Sequence, residues 1–296
     1  MGTMMILITG SNGLLGQKLV KHLSKKNIPF IATSKGKNRN PDCMAASYST
    51  MDICSSDDIK NVFNLFIPTH VIHTAAMTNV DECEEFPLEC EKLNVEATQL
   101  LFEAAQKIGA HFQLLSTDFV FDGVKGNYSE RDVPNPLSVY ARSKVAAENL
   151  VLSSSYQKFS IVRTIILYGK ANNLSRSNIV CWAKEALSKG QPLSIIDVQF
   201  RAPTWADDLA WASIRICDLQ KTGFYHIAGP ETMSIYDLVL RIAKFYSFST
   251  QFLTKTDSLS LNQKAKRPPK TGFDLQKAQS ELSYKPKTLE ETLKDI

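Results

Sequence analysis

Met4-Met5-Ile6-Leu7-Ile8-Thr9-Gly10-Ser11-Asn12-Gly13-Leu14-Leu15-Gly16 begins as an apolar run and ends in three glycines spaced G-x-x-G-x-x-G. A short apolar run followed by a glycine turn reads as a strand buried on both faces of a parallel sheet. Leu14 to Lys26 then has amphipathic helical spacing. In a strand–turn–helix unit the glycines have separate tasks: a tight turn, close backbone approach to a pyrophosphate, and packing of helix on strand. The helix N-terminus adds free N–H groups and partial positive charge. The stretch is therefore expected to bind a dinucleotide.

The same alternation continues outward. Pro29–Thr33, His70–Ala75, His111–Ser116 and Phe159–Leu167 read as strands. Ser55–Phe66, with Ser55 or Ser56 as N-cap, Pro87–Ile108 and Leu137–Leu152 read as helices. Such alternation predicts an α/β fold, a Rossmann-type doubly wound parallel sheet. After Gly169 the pattern changes. Asn178–Ser188, Asp207–Leu219 and Ile235–Phe245 look helical, Leu193–Asp197 and Phe224–Ala228 strand-like, and the tail from Leu261 is rich in Lys and Pro. Residues 1–169 are read as the dinucleotide-binding domain. Residues 170–296 are read mainly as a smaller interleaved α/β substrate lobe, with segments returning to the first domain.

Composition agrees with a globular chain of 296 residues: 44% hydrophobic, 22% charged, net charge +4. The basic clusters Lys35–Arg39 and Lys264–Lys270 read as solvated surface, and no continuous basic face suits nucleic acid. Six cysteines without a C-x-x-C pair read as free thiols of a reducing cytosol. No secretory segment and no apolar run near the roughly 18 residues of a membrane span is found, so a cytoplasmic location is expected. The five histidines lack metal-ligand spacing, and neither a nucleophile elbow nor a Walker lysine occurs.

The end of the second strand, Ala32-Thr33-Ser34-Lys35-Gly36-Lys37, carries no carboxylate for a ribose 2′-hydroxyl. Ser34 and Lys35 could hold a 2′-phosphate, which favours NADPH and leaves NADH open; a plain polar loop would look the same. Tyr140-Ala-Arg-Ser-Lys144 puts a phenol and an ammonium on one helix face, where the ammonium is expected to lower the phenol pKa and fit it for proton transfer. A surface tyrosine on a lysine stem gives the same spacing. Thr117, at the carboxyl end of a parallel strand, is a candidate donor to a reacting carbonyl oxygen; strand-end capping is its other reading.

Together the glycine turn, Ser116-Thr117-Asp118-Phe119-Val120-Phe121-Asp122-Gly123 and Tyr140-x-x-x-Lys144 resemble the extended short-chain dehydrogenase/reductases, more narrowly the dTDP-4-dehydrorhamnose reductase group. Further similar strings are His73–Glu84, Leu93–Thr98, Arg163-Thr164, Tyr168-Gly169, Arg201–Thr204 and Arg267-Pro268. The resemblance implies that Gly10, Ser11, Asn12, Gly13, Leu14 and Leu15 wrap the pyrophosphate, that Asp52 and Ile53 flank the adenine, and that Ala75, Ala76 and Met77 lie along the cofactor. It places Thr78, Thr117 and Asp118 against the sugar, Tyr140 as proton donor, and Lys144 on the nicotinamide ribose. A nucleotide-sugar substrate follows, with a homodimer among the assemblies allowed. Departures fall mostly on the sugar side: Ile166 stands where the pattern has tryptophan, Asp197–Thr204 departs from D-Q-x-G-x-P-T, and Ala141 replaces glycine. A non-catalytic subunit like the regulatory subunit of methionine adenosyltransferase and a sugar-nucleotide epimerase are the alternative readings. Phe119 replaces the acidic partner that dehydratases place there.

Overall fold

A computed structural model describes residues 4–257 and 263–296. Met1 and Leu261, outer limits of two stretches read above, lie outside the described residues. Seven strands, β1 (Ile6–Thr9), β2 (Phe30–Ser34), β3 (Tyr48–Thr50), β4 (His70–His73), β5 (His111–Thr117), β6 (Phe159–Thr164) and β7 (Gly223–Ile227), form one sheet. Its order is β3-β2-β1-β4-β5-β6-β7, and every neighbouring pair is parallel. The fold is an α/β Rossmann-type sheet, as expected. Every residue of β1, β4 and β5 is buried, as the apolar runs require.

Helices cover both faces. On one, Leu19, Val20 and Leu23 of α1 (Leu14–Lys25) share a core with Leu209, Ala212 and Ile216 of the helix Ala206–Asp218. On the other, Ile59 and Val62 of Ser56–Phe66 meet Leu101 and Phe102 of Ala97–Ile108. A third core joins Val180 and Ala183 of Ile179–Ser188, Leu238 and Ile242 of Ile235–Phe245, and Leu253. β7 follows Ile179–Ser188 and Ala206–Asp218 in the chain yet pairs with β6. Among the described residues no helix is long and apolar enough to cross a membrane.

Two stretches differ from the sequence reading. Pro87–Ile108 is not one helix: it divides into Pro87–Glu91, a π-helical turn over Lys92–Glu96, and Ala97–Ile108, with Val80–Glu85 before it. Pro87 lacks an N–H and starts a helix of its own. The wider turn brings Asn94 inward, where its amide bonds both the N–H and the carbonyl of Met77, at 2.8 and 3.0 Å, and donates to Ser143 Oγ at 2.9 Å. The Lys/Pro-rich tail supplies Thr271–Phe273, which pairs parallel with Gly126–Tyr128. Three-residue strands carry too little periodicity to be read in advance.

Candidate active site

One cleft of about 1350 Å³ runs along the carboxyl ends of the central strands. It exceeds the roughly 300–1000 Å³ of a drug-sized site, giving room for two elongated ligands. At one end lies the glycine turn. Gly10 has φ +70°, and a Cβ there would sit 2.8 Å from Ala75 N and from Thr74 Oγ1. At Gly16 a Cβ would stand 2.5 Å from Gly10 O and Ser11 Cα, so helix and turn meet at backbone distance. Gly13 is the N-cap of α1 and offers no capping side chain; the first turn holds no acidic residue. The N–H groups of the first turn of α1 carry no side-chain cap and are available to an anion, so the cradle fits a pyrophosphate.

Gly10, Asn12, Gly13, Leu14 and Leu15 line the cleft. Ser11 does not: it is buried, its N–H bonded to Thr33 O at 3.0 Å. Asn12 fixes the next loop, accepting from Arg39 N at 2.7 Å and donating to Lys37 O at 3.0 Å. Ser34, Lys35, Asp52 and Ile53 line the same end. Ser34 Oγ accepts from Asn12 N at 3.1 Å. Lys35 Nζ lies 2.9 Å from Asp52 Oδ2; this hydrogen-bonded pairing raises the lysine pKa and lowers that of the carboxyl. Arg39 also lines the cleft, whereas its basic cluster reads as plain surface in the sequence.

Ala75, Ala76 and Thr78 border the middle of the cleft. Met77, expected along the cofactor, instead packs beneath Tyr140 with Cys83 and Cys90. Its backbone is held from behind by Asn94, which turns the side chain into the core.

The helix α2 (Val139–Leu152) starts at Ser138, whose hydroxyl accepts from Ala141 N at 3.2 Å. Its first turn presents Tyr140 and its second Lys144, only 8% and 3% exposed, opposite Thr117 at the end of β5. All three line the cleft. The sequence reading expects a lysine-lowered phenol; the structure reverses the direction. Burial raises the Tyr140 pKa well above the ordinary value, and Thr117 only partly opposes it. The phenol is thus held neutral. Burial also brings Lys144 down to about 8, against the pull of Glu148.

Behind this wall stand buried charges. Glu148 Oε1 accepts from Ser116 Oγ at 2.5 Å and Arg163 Nε at 2.9 Å, and Oε2 from Arg163 Nη2 at 2.6 Å. Asp118, expected to face the sugar, borders the cleft but turns its carboxylate to protein groups: Thr271 Oγ1, Arg201 and Thr117. Ile166, at φ +20°, lines the far half with Arg176, Asn178, Trp182 and Arg267. Arg267 is fixed to Asp81 at 2.6 Å. Trp182 is missed by the sequence reading because one aromatic on a helix carries no periodic signal.

The family model described as the RmlD substrate binding domain matches residues 4–296. A dTDP-4-dehydrorhamnose reductase from Aggregatibacter actinomycetemcomitans is 30% identical over 98% of this chain and 97% of the relative. The methionine adenosyltransferase 2 subunit beta of Rattus norvegicus is 28% identical over 93% of this chain and 81% of its own. Among solved structures, a dTDP-4-dehydrorhamnose reductase from Clostridium acetobutylicum superposes with TM-score 0.86 at 30% identity, covering 98% of this chain and 97% of that one. The Bacillus anthracis dTDP-4-dehydrorhamnose reductase, solved in complex with NADP, gives 0.87 at 25% identity, covering 99% and 98%. With the glycine cradle and the buried tyrosine–lysine helix in place, and a family model matched from residue 4 to the end, the chain belongs to the RmlD substrate binding domain family.

Proposed function

We propose that this protein is an NADPH-dependent oxidoreductase that reduces the keto group of a nucleotide-linked sugar, in the manner of dTDP-4-dehydrorhamnose reductases. The observation that carries this reading is the buried, neutral Tyr140 phenol sharing one cleft wall with Thr117 and Lys144. A buried acid beside a buried ammonium suits proton delivery to a carbonyl oxygen.

The glycine cradle, residues 10 and 12–15, holds the pyrophosphate, while Ser34, Lys35 and Arg39 offer hydroxyl and cations to a 2′-phosphate. When bound, the nicotinamide supplies hydride to the keto carbon. Tyr140 gives its phenolic proton to the keto oxygen. Lys144, one helical turn away, stabilises the phenolate left behind and binds the nicotinamide ribose. Thr117 fixes the phenol. The half of the cleft bearing Thr78, Ile166, Asn178, Trp182 and Arg267 takes the sugar nucleotide. Water is kept from the reacting atoms by the burial of Tyr140 and Lys144, which strengthens each electrostatic contact there.

The test is NADPH oxidation across a panel of nucleotide-linked keto sugars, with Tyr140→Phe as control. Turnover on one member, lost in the variant while NADPH still binds, supports the proposal. An equally active variant overturns it. The similarity to methionine adenosyltransferase subunit beta favours a second reading, a dinucleotide-binding regulatory subunit; absence of turnover across the panel together with tight NADPH binding and a stable complex with a methionine adenosyltransferase catalytic chain would support it.

A further inference from the structure

Arg201 is one of the largest fully buried side chains, 1% exposed, and it stands where the resembled pattern has a glycine. Its Nη2 donates to Pro268 O at 2.6 Å, and its Nη1 to Phe200 O at 2.7 Å and Pro269 O at 3.4 Å. Its Nε lies 3.6 Å from Asp118 Oδ2. The guanidinium also lies over the Phe119 ring, at 5.3 Å, and that ring meets Tyr140 edge-on.

Asp118 is 2% exposed. Its Oδ2 accepts the Thr271 hydroxyl, and its Oδ1 accepts the Thr117 hydroxyl at 3.2 Å. Thr117 Oγ1 in turn accepts Phe119 N, also at 3.2 Å. A threonine hydroxyl has one proton. With that proton on the Asp118 carboxylate, what Thr117 offers to the cleft is a lone pair. Against the neutral phenol it is held as an acceptor, with no proton for the keto oxygen; once the phenol is ionised the Thr117 hydroxyl can turn its proton to the phenolate, which is the sense in which it lowers the Tyr140 pKa. A buried ion pair is weak evidence for stability, and its best-attested use is to fix one geometry.

We propose that Asp118 and Arg201 form a positioning couple that sets Thr117 as hydrogen-bond acceptor for Tyr140 and ties the catalytic strand to the segment walling the sugar side. The tie runs through Pro268, Pro269 and Thr271. The residues just before them, Gln263 and Arg267, line the cleft, and Arg267 is anchored at its other side by Asp81. Asp118 therefore acts through Thr117, and its carboxylate does not bind substrate. The couple rests on the reductase reading for what Tyr140 does, so Tyr140→Phe is measured alongside.

The test uses the full chain with NADPH and the best substrate of the panel, comparing Asp118→Asn, Thr117→Val, the double variant and Thr271→Val. Misplacing Thr117 is expected to lower kcat by about 10- to 100-fold in Asp118→Asn, with NADPH affinity and KM nearly unchanged. Thr117→Val should then add less than about two-fold in the Asp118→Asn background, because both act on one contact. The groups facing the phenol are Asp118, Cys83 and Cys90, with Lys144 on its own helix. Asp118 raises the Tyr140 pKa and does not act on Lys144, so Asp118→Asn is expected to lower the plateau of the rate profile and leave its fall at about pH 8 in place, whereas a disturbed α2 would shift that fall. Thr271→Val keeps every charge and serves if Asp118→Asn fails to fold; it should lower kcat several-fold with KM unchanged. A raised KM at unchanged kcat, or strictly additive losses, would mark Asp118 as a substrate ligand and overturn the couple while Tyr140→Phe stays inactive. An active Tyr140→Phe overturns the couple together with the reading beneath it.

Discussion

Glu148 grips Arg163 with both carboxylate oxygens, at 2.9 and 2.6 Å, from the same helix that carries Tyr140 and Lys144. Arg163 lies on β6 opposite Ser116 of β5, and Ser116 donates to the same carboxylate. The pair therefore pins the helix of Tyr140 and Lys144 to the two strands whose ends carry Thr117 and Thr164. Both side chains are 2% exposed, so their charges are almost fully desolvated.

Removing one partner should be far worse than removing both. Glu148→Gln leaves the Arg163 guanidinium buried without its counter-charge, which typically costs about 3–5 kcal/mol. Glu148→Gln combined with Arg163→Met should cost clearly less than the sum of the single changes, since the second removes the orphaned charge. Urea unfolding of the four proteins checks this; additive losses would count against the coupling.

Lys144 titrates near the working range of an enzyme because burial brings its pKa down to about 8. The sign for activity follows. Below that pH the ammonium is charged and can stabilise a phenolate; above it the amine is neutral and cannot. The plot of kcat/KM against pH, which reports free-enzyme groups, should fall as pH rises through about 8. Glu148 supports the charged form, so Glu148→Gln should move that fall to lower pH wherever the variant remains folded. A profile flat through this region would contradict the assignment of Lys144.

The strand–turn–helix start was legible because three glycines, an apolar run and an amphipathic helix each carry the same local message. The cap at Ser55, one of the two positions offered, was legible for a similar reason: a short polar residue precedes periodic apolar ones, and its Oγ accepts from Asp58 N, three residues on. The orientations of Met77 and Asp118 depend on distant partners. Asn94 reaches Met77 over 17 positions, and Thr271 reaches Asp118 over 153. No spacing rule encodes contacts of that kind. The phenol pKa departs from the expected direction because an i, i+4 pair shows the neighbouring charge but hides the burial that raises the pKa.

Three histidines make the fold sensitive to acid. His73 sits between Thr9 Oγ1 at 2.7 Å and Thr98 Oγ1 at 3.1 Å, and burial lowers its pKa to about 3. Burial brings His226 to about 3 and His111 to about 4 in the same way. A depressed histidine pKa means that the unfolded chain binds more protons between the folded and unfolded values. Stability is then complete above about pH 6.5 and declines as pH falls toward 3–4. At about pH 5 each site would cost about 2 kcal/mol at 1.36 kcal/mol per unit. The urea midpoint should drop between about pH 7.5 and 5, and His73→Asn should lessen the drop. An unchanged midpoint over that range would argue against neutral burial.

The glycine cradle can be dissected without any ligand, which separates its role in folding from its role in binding. A Cβ at Gly16 would meet backbone atoms of Gly10 and Ser11 at 2.5 Å, and backbone cannot step aside without moving α1. At Gly13 the same atom would meet only Gly10 O, at 3.2 Å, a contact relieved by a few tenths of an ångström, and φ there is −78°. Gly16→Ala should therefore destabilise the ligand-free protein by about 1–3 kcal/mol, as overpacking does, whereas Gly13→Ala should change its stability little. Both should weaken NADPH binding, Gly16→Ala by displacing the helix N-terminus and Gly13→Ala by placing a methyl where backbone approaches the pyrophosphate. Thermal unfolding with and without NADPH reads both quantities at once: the NADPH-induced rise in Tm should shrink in each variant, while the ligand-free Tm should fall only for Gly16→Ala. A Gly13→Ala protein with the full NADPH-induced rise would place the pyrophosphate elsewhere.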